Sequence, residues 1–170
     1  MPLDRFSVSP LIRLTLLLLY VALLLPLTFL PQSPTWMGVA LLAGGVLLWG
    51  ALGEQVLITE AVIELRYPWW LRWLRSGWVL PWQEIVALRP RTTGQGGLVY
   101  YLVDKAGNGY LLPMRMAGFT RFVRWVEQKT GIDTRDVRPL AQPWMYVILL
   151  TFSFLLLLFD IFLAISRPHA

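Results

Sequence analysis

The stretch LIRLTLLLLYVALLLPLTFL, residues 11–30, carries a single charge, Arg13. About 20 predominantly apolar residues in helical conformation match the hydrocarbon layer of a bilayer, so this stretch is read as a membrane span. Further along, residues 36–52 form a second apolar run at the short end of the spanning range. Residues 144–165 form a third, long enough to cross. Between the second and third lies a polar stretch rich in Trp and Arg. The expected organisation is an N-terminal segment and transmembrane hairpin over 1–53, a folded domain over 54–132, a linker over 133–143, a third transmembrane helix over 144–165 and a short tail, 166–170.

Composition agrees with that division. Hydrophobic residues make up 56 % of the 170 and the mean hydropathy is +0.58, both high for a soluble domain. There are no cysteines, which excludes disulfides, thiolate metal sites and cysteine nucleophiles. A cleaved signal peptide fits poorly. The apolar run after Arg13 is about 17 residues, longer than the usual signal core, and residues 31–35 offer no small-x-small cleavage site.

Basic residues set the expected orientation. Arg5 and Arg13 precede or open the first run, Arg66 follows the second, and Arg135 and Arg138 precede the third; only Arg167 lies beyond it. The positive-inside bias then places the N-terminus and central domain in the cytoplasm. Residues 54–143 hold twelve basic and eight acidic side chains, a net charge of +4. Such a surface gains about 1 kcal/mol per Lys or Arg held near anionic headgroups.

Within the spans, Pro26 removes a backbone hydrogen bond and predicts a kink, and Arg13 is expected to snorkel to the near interface. The second run carries Gly38, Ala40, Gly44 and Gly45, a small-residue face that lets another helix approach closely. The five-residue connector, 31–35, predicts an antiparallel hairpin with the first span as partner; a foreign helix is the alternative. Asp160 is the one carboxylate in the third run. It either reaches the interface or makes an intramembrane polar contact with a partner.

The central domain begins with period-two alternation over 56–67, read as one antiparallel strand with Leu57, Thr59, Ala61, Ile63, Leu65 and Tyr67 on one face. Further strands are expected over 78–88, interrupted at Pro81, and on either side of Asp104-Lys-Ala-Gly-Asn-Gly109, a hairpin connection. Then the period changes. Phe119, Phe122, Val123 and Val126 fall on one helical face, and Gly131 is a natural stop. The fold class expected is α+β, an antiparallel sheet domain closed by one C-terminal helix.

That order of elements, with Leu57-Ile-Thr-Glu60, Trp82-Gln-Glu-Ile85 and the Gly107–Gly109 turn, resembles the bacterial pleckstrin-homology-like (PH-like) domains over residues 54–132. The layout of a helical hairpin followed by such a domain is also similar to the photosystem I assembly factors, from which the third span departs. The resemblance implies a non-catalytic membrane module that holds or assembles other proteins. In PH domains the loop between the first two strands often supplies basic residues for lipid headgroups, and Arg66, Arg72 and Arg75 match that role here.

No group of residues satisfies the first geometric step of an active-site search. The one histidine, His169, lies next to the last residue; Glu60 and Glu64 fit a solvated strand face; the glycines at 94–97 lack the Lys-Ser/Thr of a phosphate loop. No enzyme activity, cofactor, metal, small-molecule substrate or nucleic-acid partner is expected. The segment YPWWLRWLRSGW, residues 67–78, is the most unusual. A helical turn there sets Trp69, Trp70 and Trp73 on one side and Arg72 and Arg75 on the other, suited to the headgroup layer. Packing on the protein's own surface and a protein-partner hot spot remain alternatives. The expected function is a membrane scaffold or assembly factor that binds subunits of a larger membrane complex, a photosynthetic one among the candidates. The alternative is a module that binds anionic lipid through the Trp/Arg loop.

Overall fold

The structure is a computed structural model that describes residues 3–29, 33–94, 98–137 and 143–166. Leu30 at the end of the first run, Pro31 and Gln32 of the connector, residues 95–97 of the glycine-rich loop, residues 138–142 of the expected linker with Arg138, and residues 167–170 with Arg167 and His169 lie outside the described residues. The chain forms two compact units. One takes residues 1–9 and 53–141, the other residues 10–52 and 142–170.

The first unit is α+β. Its four-stranded antiparallel sheet has the order β1 (Asp4–Ser7), β2 (Gln55–Ile58), β3 (Val62–Arg66), β4 (Trp78–Pro81). A second, three-stranded sheet follows as β5 (Ile85–Thr92), β6 (Leu98–Asp104) and β7 (Gly109–Leu111). One amphipathic helix, α3 (Phe119–Thr130), ends the unit's regular structure. It stops where expected: Gly131 adopts φ +71, a left-handed conformation that favours glycine, and its N–H donates to Glu127 O at 2.8 Å.

The strand β1 corrects the expected division of the chain. Asp4–Ser7 does not belong with the apolar hairpin; it pairs antiparallel with β2, Phe6 opposite Val56 and Ser7 opposite Gln55. Residues 10–52 are therefore an insertion between two paired strands. Phe6 is buried with its ring edge-on to Phe122 of α3, centroids 5.5 Å apart, and Val56, Ile58, Ile63, Leu65, Leu80, Leu102 and Val126 complete the centre of the core.

Residues 56–67 also differ from the single strand expected. Thr59 turns the chain: its hydroxyl donates to Val62 O at 2.9 Å, and the Val62 N–H donates back to the hydroxyl oxygen at 3.0 Å. The Trp82 indole N–H donates to Thr59 O at 3.0 Å and clamps this turn. The three-residue connection shifts the alternation, so Val56 and Ile58 point inward with Ile63 and Leu65, while Leu57 faces the other side. The expected linker starts late as well. Tyr100 donates to Asp136 O at 3.0 Å, Thr134 donates to Glu127 Oε2 at 3.0 Å, and Ile132 and Val137 pack against the core.

The hairpin before β7 forms as its Gly and Asn residues suggest. Asp104 accepts from the Asn108 N–H at 2.8 Å, the Asn108 side-chain amide at 2.9 Å and the Tyr110 hydroxyl at 3.2 Å. The Asn108 amide is the largest cause holding this carboxyl below the usual range.

The second unit is helical. Helix α1 (Pro10–Leu24) tightens into a 3-10 turn, Leu25–Phe29, around Pro26. It is followed by α2 (Trp36–Ala51) and α4 (Pro143–Ser166). Pro10–Phe29, with 20 residues, and Pro143–Ser166, with 24, are long and apolar enough to cross a membrane. Only 17 % and 11 % of their most apolar stretches are buried, unlike the core helix of a soluble protein. The 16 residues of α2 reach about 24 Å, short of the ~30 Å hydrocarbon layer.

Helix α1 packs along α4 and, less extensively, on α2. The Thr15 hydroxyl lies 2.8 Å from Leu11 O and 3.3 Å from Tyr146 O, so the sixth residue of α1 meets the fourth of α4. Ala22 and Ser153 are buried seven residues further along each helix. Only a parallel pair keeps both in a shared seam. Small side chains there allow the close approach that membrane helices use in place of a hydrophobic driving force.

Candidate functional site

The Trp/Arg segment lies between β3 and β4, the third and fourth strands, and not between the first two as the resemblance implied. β1 and the division at Thr59 each add a strand before it. Pro68 follows the last β3 residues, and a 3-10 turn, Trp69–Leu71, begins directly after it. The turn continues as the Leu74 and Arg75 N–H groups both donate to Leu71 O at 3.0 Å. At its far end the chain returns so close to β3 that a Cβ on Gly77 would sit 1.9 Å from Leu65 O. Glycine is required at that point.

The turn presents Trp69 and Trp73, 80 % and 78 % exposed, with Leu74 beside them. Trp70 is half-buried and Leu71 is buried, so the expected three-Trp face is two Trp and one Leu. Trp78 turns away and packs against Tyr110 at 5.5 Å. The three arginines differ. Arg66 is ion-paired with Glu64. Arg75 lies 5.4 Å from the Tyr67 ring centroid, and the Tyr67 hydroxyl donates to Glu54 Oε2 at 3.3 Å. Burial pushes the Glu54 carboxyl up, against the opposing effects of the Tyr67 hydroxyl and the charges of Arg75 and Arg115. Arg72 is exposed and carries no ion pair among the described residues. The site therefore offers two indole rings, one leucine and one uncommitted guanidinium, braced from behind by Glu54, Tyr67 and Arg75. Glu54 and Tyr67 escape a motif search, because a lone carboxylate next to an apolar run has no distinguishing spacing.

In the helical unit, three of the four expected small residues face α1. A Cβ on Gly44 would meet the Tyr20 hydroxyl at 2.1 Å and one on Gly45 would be 3.6 Å from the ring, while Tyr20 donates to Leu41 O at 2.9 Å. Ala40 lines a cleft of about 150 Å³ with Tyr20, Leu24, Leu27, Trp36 and Met37. Gly38 faces open space. Arg13 is engaged within the helical unit. Its guanidinium lies 3.5 Å from the Trp49 ring centroid and donates to Trp49 O at 3.3 Å, which joins the start of α1 to the end of α2. Asp160 is buried on the same stripe of α4 as Ser153 and does not reach outward; its Oδ2 has no hydrogen-bond partner among the described residues.

Among the described residues, no group of three or more His, Asp or Glu side chains is arranged to hold a metal ion. The chain is 51 % identical over 162 residues to a protein of Synechocystis sp. designated uncharacterized protein slr0269; the match covers 90 % of this chain and 81 % of the relative. No protein-family model matches the chain, and no solved structure matches it significantly.

Proposed function

This chain belongs to the same family as the Synechocystis protein slr0269, and we propose that it is a multi-pass membrane scaffold, non-catalytic, that holds subunits of a larger membrane complex. In this reading α1, α2 and α4 lie in the bilayer and the sheet unit is a PH-like domain on the cytoplasmic side. Seven antiparallel strands in sheets of four and three, followed by one helix, support the PH-like assignment. Photosynthetic complexes are among the candidate partners through the resemblance in layout to the photosystem I assembly factors.

One observation carries the reading. The chain passes between the sheet unit and the helical unit three times, at 9–10, 52–53 and 141–142, and two of those passages leave from paired strands. Two residues separate Ser7 from Pro10 and three separate Ala51 from Gln55. Connections this short keep the domain at the membrane surface once the helices are inserted, which is what a holding function requires. Gentle solubilisation and affinity purification of the full chain are expected to recover specific membrane subunits in fixed ratio. Recovery of the bait alone contradicts the proposal.

The exposure of Trp69 and Trp73 beside the uncommitted Arg72 favours a second reading, contact of this turn with an anionic membrane surface. Because β1 is separated from β2 by the helical insertion, its test uses the full chain in liposomes. Brominated phosphatidylglycerol is expected to quench fluorescence that is absent from the W69F/W73F variant. R72Q should weaken that quenching about fivefold at low salt, the equivalent of ~1 kcal/mol for one arginine at the surface. Equal quenching by brominated neutral and anionic lipids eliminates the charge-reading version of this idea.

A further inference from the structure

An antiparallel sheet with one solvated face alternates apolar inward and polar outward. The strand β6, LVYYLVD, does not. Tyr100 and Leu102 are buried in the core, yet the outward positions between and beside them are Val99, Tyr101 and Val103, all partly exposed. Pairing extends this face. Leu111 of β7 lies opposite Tyr101, and on β5 Arg89 lies opposite Tyr101 and Arg91 opposite Val99. Gly109 adds no side chain to this face, and a Cβ there would stand at ordinary contact distance, 3.5 Å, from the Tyr101 ring. The result is a smooth apolar strip whose charged members on these three strands are two exposed arginines, neither in an ion pair among the described residues.

We propose that the outer face of β5, β6 and β7, with Tyr101 at its centre, is a docking surface for an acidic, amphipathic segment of a partner protein. The proposal rests on the scaffold reading and names the partner's chemistry. Charge complementarity points to acidic groups opposite Arg89 and Arg91, and the flat strip matches an apolar partner face. Tyr and Arg are the residue types that dominate binding energy at such interfaces. A bilayer fits this strip less well. Valine side chains on a sheet face are too short to reach the about 5–10 Å depth of the headgroup boundary, whereas exposed indoles such as Trp69 and Trp73 extend further.

A photoreactive phenylalanine analogue in place of Tyr101, in the full chain in native membranes, tests this. The expected result is a cross-link to one protein, mapped to a peptide in which Asp or Glu flank apolar residues. Its yield should fall at least tenfold in R89E/R91E and persist in R89K/R91K. A cross-link to lipid, or one insensitive to R89E/R91E, overturns the proposal. So does the absence of any cross-link while affinity purification still recovers membrane subunits, in which case the scaffold reading stands without this surface. If purification recovers only the bait, both fall.

Discussion

Phe6→Ala is expected to destabilise the sheet unit by about 3–5 kcal/mol, the range for removing a large aromatic from a packed core. The position looks unimportant in the sequence, just ahead of a long apolar run. In the fold it is 2 % exposed, set edge-on against Phe122, and it is the buried hydrophobic residue that β1 contributes to the core. Domain stabilities are commonly about 5–15 kcal/mol, so this loss is a large share of the total. Hydrogen exchange of the full chain in detergent measures it directly: amides of β2 and β3 should lose protection together with β1. A change under about 0.5 kcal/mol, the size of an ordinary surface substitution, would mean that β1 is an ornament on a domain complete without it.

Gly77→Ala is the second large effect. The new methyl would lie 1.9 Å from Leu65 O, a backbone atom of β3 whose position is fixed by the Leu65–Trp78 pairing. Neither strand moves without breaking that ladder, so the cost should reach or exceed the upper end of the ~1–3 kcal/mol typical of overpacking. The loss should concentrate at the β3–β4 edge and the Trp/Arg turn, leaving β5–β7 protected in hydrogen exchange. Unaltered thermal stability would contradict the close approach of the two strands.

The parts legible in the sequence are the local ones. The helical spacing of Phe119, Phe122, Val123 and Val126, the stop at Gly131 and the Asp104–Gly109 connection each depend on residues close together in the chain, and all appear where expected. The two long apolar helices follow from length and composition alone. What escapes depends on distant partners. β1 is four residues with a single inward side chain, and its partner strand lies about fifty residues away. The turn at Thr59 is hidden because Leu57, Thr59, Ala61, Ile63 and Leu65 continue an unbroken alternation while the chain reverses beneath it. The seam between α1 and α4 is written at seven-residue spacing in Thr15 and Ala22 and in Ser153 and Asp160, but two separate patterns do not say that they face each other. In the Trp/Arg turn, sequence identifies the residues without their roles: all three arginines are exposed, but Arg66 is paired with Glu64 and Arg75 lies against Tyr67, which leaves Arg72 with neither an ion pair nor a ring contact among the described residues.

The proposed topology stands on the insertion between β1 and β2 crossing the membrane and returning, with α2, shorter than an ordinary span, completing the passage. The chain has no cysteine, so single cysteines report without interference. Lys105→Cys, in the exposed β6–β7 turn, and Thr35→Cys, exposed at the start of α2, should be labelled by an impermeant maleimide from opposite faces of oriented membrane vesicles. The Lys105→Cys variant is expected to react from the cytoplasmic face and the Thr35→Cys variant from the other. Labelling of both variants from one face would mean that the hairpin never crosses, and would contradict this topology.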